Sequence, residues 1–437
     1  MRTVAYHNLG CKVNAYEMDA MIQALRQKGF KIVPFEEKAD IYIVNTCTVT
    51  NIADRKSRQM LHKAKKTNPE GIVVAVGCYV QSDMDAVSAD PAVDLLVGNN
   101  RKKDLAQILE NYFDGVEQES VIDINNTLEY EEMKLTSTAE HTRAYIKIQD
   151  GCNQFCTYCM IPYARGRVRS RKKADILEEI RGLAAAGYRE FVLTGIHVSS
   201  YENEGSLLEL ICAIDELEGV ERIRLSSLEP RVVTREFAER LSGLKHICPH
   251  FHLSLQSGSA GVLKRMNRHY TPDEYISGVE YLRRAFDHPA ITTDVIVGFP
   301  GETDEEFEET VQLVKTVNFY EMHIFKYSKR KGTKAAVMPN QVPEPLKAKR
   351  SAILQGIEAE ASKKFREYYI GRTAETLLEE RIEREGTPYL IGHTREYVRV
   401  AAAAGGDCGL LENMLVTGRI AGFLDDELML LEEPANL

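Results

Sequence analysis

The 437-residue chain has no apolar run long enough to cross a bilayer. Its opening stretch, MRTVAYHNLGCK, lacks the apolar core of a secretory signal and reads as the start of a strand. Tandem repeats are absent, and Ala401–Ala404 is the one low-complexity tract. Membrane proteins of the helical kind, secreted proteins and solenoids are therefore not expected, and the expected location is cytoplasmic. Cysteine is scarce, with nine residues. In a reducing compartment clustered cysteines point to metal binding or catalysis and not to disulfides. Positive charge is in deficit, with a net charge of −10. That weighs against a nucleic-acid partner unless basic residues are gathered locally, because phosphate binding needs positive charge where it makes contact.

They are gathered. Residues 371–437 hold six Arg and no Lys against thirteen acidic residues, so most of the negative excess sits at the C-terminal end. Two stretches upstream are purely basic. One is Arg55-Lys56-Ser57-Arg58, running on to Lys63, Lys65 and Lys66. The other spans Arg165 to Lys173 and includes Arg167, Arg169, Arg171 and Lys172. Their bland reading is a solvated charged face.

Hydrophobic content of 44% and charged content of 27% describe a soluble globular chain, and its length predicts two or three domains. In residues 1–112, TVAYHNLGC, DIYIVNTC and GIVVAVGC are β-branched runs of strand length separated by helical stretches. This predicts an α/β domain on a parallel sheet. Residues 113–137 are polar and aperiodic and read as a linker with one or two short strands. Residues 138–370 resume the alternation, with six strand candidates starting near Ala144, Phe191, Arg222, Phe251, Thr292 and Glu321. Six β/α units predict an incomplete TIM-like (β/α)6 barrel, against a doubly wound open sheet as the competing architecture. A long charged helix near 344–369 closes this region. Residues 371–437 hold five short strand candidates, which suit a small OB-like β-barrel.

Cys152, Cys156 and Cys159 form C-x3-C-x2-C directly after the first barrel strand, at the strand end where barrel active sites sit. A closed zinc site would want four ligands, and no fourth Cys or His lies close in sequence. Three thiolates suit a four-iron cluster with one iron left open to bind a ligand and pass it an electron. Cys11, Cys47 and Cys78 share no short motif, yet each follows a strand. Strand ends of one polarity lie on one edge of a parallel sheet, so these three can converge. A lone cysteine at such a position is usually a small buried hydrophobe, and that reading is kept for Cys212, Cys248 and Cys408.

C-x3-C-x2-C with Tyr158 before its last cysteine resembles the signature of the radical S-adenosylmethionine (SAM) superfamily. GCKVN, VNTCTVT and GCYVQ ahead of GCNQFCTYCMIPYARGR resemble the methylthiotransferase family over nearly the whole chain. LGCKVN, ADRKSRQ, LTGIH, SSLEP, HLSLQSGS and ITTDVIVGFPGET look most like its MtaB-type branch, which acts on N6-threonylcarbamoyladenosine at position 37 of tRNA.

The resemblance implies two 4Fe–4S clusters, one on Cys152, Cys156 and Cys159 and an auxiliary one on Cys11, Cys47 and Cys78. The first would cleave SAM to a 5′-deoxyadenosyl radical, and the second would supply sulfur for replacement of the C2 hydrogen. No side chain is assigned as acid or base, since the chemistry belongs to the cofactors. It further implies SAM contacts at Tyr158, Thr194, Gly195, Gln256, Asp294 and Gly298, and a C-terminal TRAM domain. An electron donor such as flavodoxin or ferredoxin is implied as well. Expected tRNA contacts are Lys12, Arg55, Arg58, Arg165, Arg167 and Arg169, with Lys12 or Arg165 meeting the threonyl carboxylate. The rival substrates are N6-isopentenyladenosine and a ribosomal-protein aspartate. The rival class is a non-catalytic Fe–S protein that binds RNA.

Overall fold

The computed structural model describes residues 2–137, 142–404, 409 and 411–436. The N-terminal sheet contains β1 (Thr3–Asn8), β2 (Lys31–Val33), β3 (Ile41–Thr46), β4 (Ile72–Gly77) and β5 (Leu95–Val97), ordered β2-β1-β3-β4-β5 and parallel throughout. β3 is buried at every position, which is why IYIVNT lacks the alternation of a one-faced strand. Helices Lys12–Gln27 and Asn51–Thr67 cover the sheet, and Thr50 caps the latter by accepting from the Ala53 N–H.

The central domain carries β6 (Arg143–Asp150), β7 (Arg169–Ser170), β8 (Glu190–Gly195), β9 (Arg222–Leu225), β10 (His250–His252), β11 (Ala290–Val297) and β12 (Glu321–Lys326). Parallel pairing joins β6-β8-β9 and β10-β11-β12, with β7 antiparallel at the edge. Bridges Ile223–Ile247 and Leu228–Leu253 link the two sheets. The six parallel strands form the incomplete barrel foreseen in the sequence. Ala144, Ile146 and Ile148 of β6 join the hydrophobic core with Ile176 and Ile180 of helix Lys173–Ala185. The alternate residues of β6 are polar.

The last five strands, β13 (Thr373–Arg384), β14 (Thr387–Thr394), β15 (Arg399–Ala403), β16 (Leu415–Phe423) and β17 (Met429–Asn436), close a barrel in the order β13-β14-β15-β17-β16. It docks on the ends of the central strands where they begin. Tyr397 stacks on His250 at 4.7 Å and accepts a hydrogen bond from Arg143. Arg222 reaches the His393 carbonyl, and Arg395 donates to the carbonyls of Lys245 and Ile247.

Residues 113–137 contain one short helical turn, Ile124–Asn126, and none of the short strands expected there. The segment is nonetheless a packed strap. Glu131, Met133 and Leu135 are buried, Tyr16 donates to the Met133 carbonyl, and Glu179 accepts from the Leu135 N–H. No helix among the described residues is long and apolar enough to cross a membrane.

Candidate functional site

Adjacent parallel strands carry the first cysteine set. Asn8 of β1 pairs with Asn45 of β3, and Thr46 of β3 pairs with Gly77 of β4. The chain beyond each strand delivers Cys11, Cys47 and Cys78 to one edge. Gly10 sits at φ +107°, and a Cβ there would come within 3.1 Å of the Cys47 Sγ, so a side chain is excluded. Cys47 is buried, and burial pushes its thiol up to about 11; the charges of the neighbouring Cys78 and Cys11 thiols add to this. Cys78 Sγ accepts from Arg165 Nε at 3.3 Å and from Asn99 Nδ2 at 3.6 Å.

Arg165 is fully buried. Besides Cys78 it binds Glu17 Oε1 at 2.7 Å, Asp150 and Asn14. Glu17 also takes Lys102 and Lys147, both buried. Burial alone would raise the Glu17 carboxyl, but Arg165, Lys102 and Lys147 outweigh it and hold it well below the usual carboxylate range. Sequence reading missed this network. Its one signal is Glu17 on the buried face of an amphipathic helix.

The second set lies after β6. Gly151, at φ +72°, packs against the backbone of Arg167, where a Cβ would collide with a carbonyl. Backbone N–H groups of Gln154 and Ile161 point at the sulfurs of Cys152 and Cys159, at 3.5 and 3.4 Å. Burial, aided by the charge of Cys156, pushes Cys152 to about 11 and Cys159 to about 12. Arg268 Nη1 donates to Cys156 Sγ at 3.3 Å. Both triads fit an iron–sulfur cluster by donor chemistry: three thiols in mutual electrostatic reach, each set with one sulfur already accepting from an arginine.

Tyr158 donates to Gln256 Oε1 at 3.1 Å, beside Cys159, and Gln256 holds φ +64°. Gln149 Oε1 accepts from the His197 N–H, and a Cβ on Gly195 would press that same oxygen at 2.9 Å. Thr194 is buried at this end of β8. His197 pairs with Glu229 at 3.1 Å, and Gln154 joins them. Sequence reading had passed over all three. Asp294 lies lower on the barrel wall, where its carboxylate, His252 and His323 bring ligand-type atoms within 4.8 Å of one another. Gly298 is spoken for by packing: its N–H goes to Glu302, and a Cβ would meet the Lys347 stem at 2.3 Å.

The basic stretches separate. Arg55 and Arg58 are exposed, and Arg167 is partly exposed over the Phe155 ring. Arg165 and Arg169 are buried and have no surface for RNA, which corrects the expectation for both. Arg165 is likewise withdrawn as a partner for a substrate carboxylate, since its guanidinium is consumed by Glu17, Asp150 and Asn14. Lys12 opens on a pocket of about 390 Å³ lined also by Tyr6, Asn8, Cys11 and Tyr145. Lys12 lies exposed at the mouth of this concavity, with the charges of Arg143 and Arg224 in reach. Cys248 is buried and Cys212 partly buried, outside both triads, and Cys408 falls outside the described residues.

Comparison with known proteins agrees with this architecture. A family model described as the Radical SAM superfamily matches residues 146–314, and one described as uncharacterized protein family UPF0004 matches residues 3–98. The threonylcarbamoyladenosine tRNA methylthiotransferase MtaB of Bacillus subtilis is 41% identical over 408 residues, covering 92% of this chain and 90% of that protein. The tRNA-2-methylthio-N(6)-dimethylallyladenosine synthase of Carboxydothermus hydrogenoformans is 37% identical over 397 residues, covering 88% and 90%. A solved structure of the radical S-adenosylmethionine methyltransferase TsrM from Kitasatospora setae superposes with TM-score 0.59 at 15% identity, over 77% of this chain and 74% of that one. At that identity the likeness concerns fold alone.

Proposed function

The chain belongs to the radical SAM tRNA methylthiotransferases, and on that premise we propose that it converts N6-threonylcarbamoyladenosine at position 37 of tRNA to its 2-methylthio derivative. Membership implies a 4Fe–4S cluster and SAM. The threonylcarbamoyl substrate is the one named for the Bacillus relative, which is more similar than the dimethylallyladenosine synthase.

The observation that carries the sulfur-transfer reading is the second thiol triad. Cys11, Cys47 and Cys78 stand on one sheet edge, and Arg165 links the Cys78 sulfur to Asp150 at the end of β6, just ahead of Cys152. Cys152, Cys156 and Cys159 would hold the SAM-cleaving cluster, and Cys11, Cys47 and Cys78 an auxiliary cluster. Bound there, these groups supply reductive SAM cleavage to a carbon radical and the sulfur for C2, a C–H that no protein base removes usefully. The protein's own part is placement. Arg165 and Asn99 fix the Cys78 sulfur, and Arg268 fixes that of Cys156. Tyr158, Gln256, Thr194 and Gly195 would border SAM, supported by the Tyr158–Gln256 hydrogen bond beside Cys159, while Asp294 faces His252. Arg55, Arg58 and Arg167 supply exposed charge for the anticodon arm, and the target adenosine must leave its stack to reach the pocket. A small reduced electron carrier and a cytoplasmic setting complete the reading.

The test is nucleoside mass spectrometry of tRNA from a host lacking such an activity, with and without this gene. New 2-methylthio-threonylcarbamoyladenosine is expected. A methylthio-dimethylallyl product would keep the chemistry and overturn the substrate. No new nucleoside from protein carrying intact clusters would overturn the tRNA reading.

A further inference from the structure

The cations around the pocket at Cys11 are paired, with one exception. Arg143 bonds Glu379, Lys147 bonds Glu17 and Asp150, Arg165 bonds the same two acids, and Arg222 and Arg224 share Glu190. Lys12 forms no ion pair among the described residues. The carboxylate whose charge reaches it is Glu190, already held by two arginines. Lys12 also opens helix Lys12–Gln27, whose N-terminal end adds positive potential at the same point. An unpaired ammonium lining a recess is an arrangement that an anion completes.

The chemistry of the proposed substrate brings an anion there. Carbon 2 and carbon 6 of adenine, the latter bearing N6, flank the same ring atom, N1. A threonylcarbamoyl group on N6 therefore lies beside the C–H to be replaced, with its carboxylate near the sulfur donor. Cys11 is a ligand of that donor in the reading above, and Lys12 is the next residue.

We propose that Lys12 binds the threonyl carboxylate of the substrate and selects an anionic N6 substituent over an apolar one. The inference rests on the functional reading above. A dimethylallyl group in the same pocket would leave the ammonium desolvated and unpaired, which is the costlier error for a site built around a charge.

The test uses the full chain with both clusters reconstituted, and anticodon stem-loops carrying threonylcarbamoyladenosine or dimethylallyladenosine. For K12M, kcat/KM on the threonylcarbamoyl loop should fall about 10- to 100-fold, as expected for loss of one charge-assisted contact. K12R should recover part of it. Equilibrium binding gives a second readout. Wild type should prefer free threonylcarbamoyladenosine to its methyl ester, and K12M should not distinguish them. Unchanged kcat/KM and unchanged ester discrimination in K12M, with wild type active, overturn this inference alone. Loss of the auxiliary cluster in both K12M and K12R overturns it in favour of a structural role. A wild-type enzyme that modifies only the dimethylallyl loop overturns the functional reading and this inference together.

Discussion

Arg268 donates from Nη1 to the Cys156 sulfur at 3.3 Å. The guanidinium also bonds the Tyr270 hydroxyl, which in turn bonds the backbone carbonyls of Ser254 and Leu255. It is a fixed donor, not a surface arm. A charge-assisted hydrogen bond to a cluster thiolate stabilises the more negative, reduced state. R268Q should therefore lower the reduction potential of the cluster on Cys152, Cys156 and Cys159. A contact of this kind contributes about 1.5–3 kcal/mol, and only its difference between the two redox states moves the potential, so the shift should be at most on the order of 100 mV for one electron. Potentiometric titration followed by electron paramagnetic resonance measures it. An unmoved potential would show that Arg268 serves packing only.

The two triads should separate by substitution. C156A should abolish formation of 5′-deoxyadenosine, because the C-x3-C-x2-C set loses a ligand. C47A should retain measurable cleavage and lose thiolation, since Cys47 belongs to the other edge, held by Gly10 and the N–H of Cys47 bonded to Ser57. Both products are quantified in one anaerobic assay by mass spectrometry. Thiolation at normal rate in C47A would remove the auxiliary site from the mechanism.

The sequence disclosed what depends on local period. The strands before Cys11, Cys47 and Cys78 are continuous apolar runs, and the parallel order follows from β/α alternation, so convergence on one edge was legible. The fate of Arg165 and Arg169 was not. Charge looks solvent-facing in a one-dimensional reading, and the acids that neutralise Arg165 include Glu17, 148 residues away. The packing of the strap at 113–137 was not legible for the same reason. Its polar residues pair with distant partners, as Glu131 does with the Lys103 N–H. β2 and β5 have three residues each, too short for a periodic signal.

Glu17 joins the N-terminal domain to the central one by accepting from Lys102, Lys147 and Arg165. Removing the acid from a buried pair leaves uncompensated charge and costs about 3–5 kcal/mol. E17A should unfold at lower denaturant and, because Arg165 also fixes Cys78, lose iron from the auxiliary site first. Mössbauer spectra of the variant should show one cluster's worth of iron, and equal loss from both sites would contradict the assignment.

Glu190 sits where the C-terminal barrel meets the central one, bonded to Arg224 at 2.6 Å and near Arg222 and Arg143. Burial would raise its carboxyl, but Arg224, Arg222 and Arg143 outweigh that and bring it to about 2. A carboxyl depressed in the folded state contributes stability that is complete above its unfolded value, about 4.3. The contribution disappears as pH falls through the folded value. Over that interval the linkage amounts to about 3 kcal/mol. E190Q removes the titration and keeps the shape. Wild type should therefore be the more stable near neutrality, and its advantage should shrink steadily below about pH 4.5. Thermal midpoints of both chains across that range measure the effect. The same arginines contact Glu375 and the carbonyls of His393, Thr394 and Arg395. Acid should then loosen the C-terminal barrel before the rest, seen as early proteolysis near Arg372. A constant gap between the two variants down to about pH 3 would mean that Glu190 carries no charge in the folded protein.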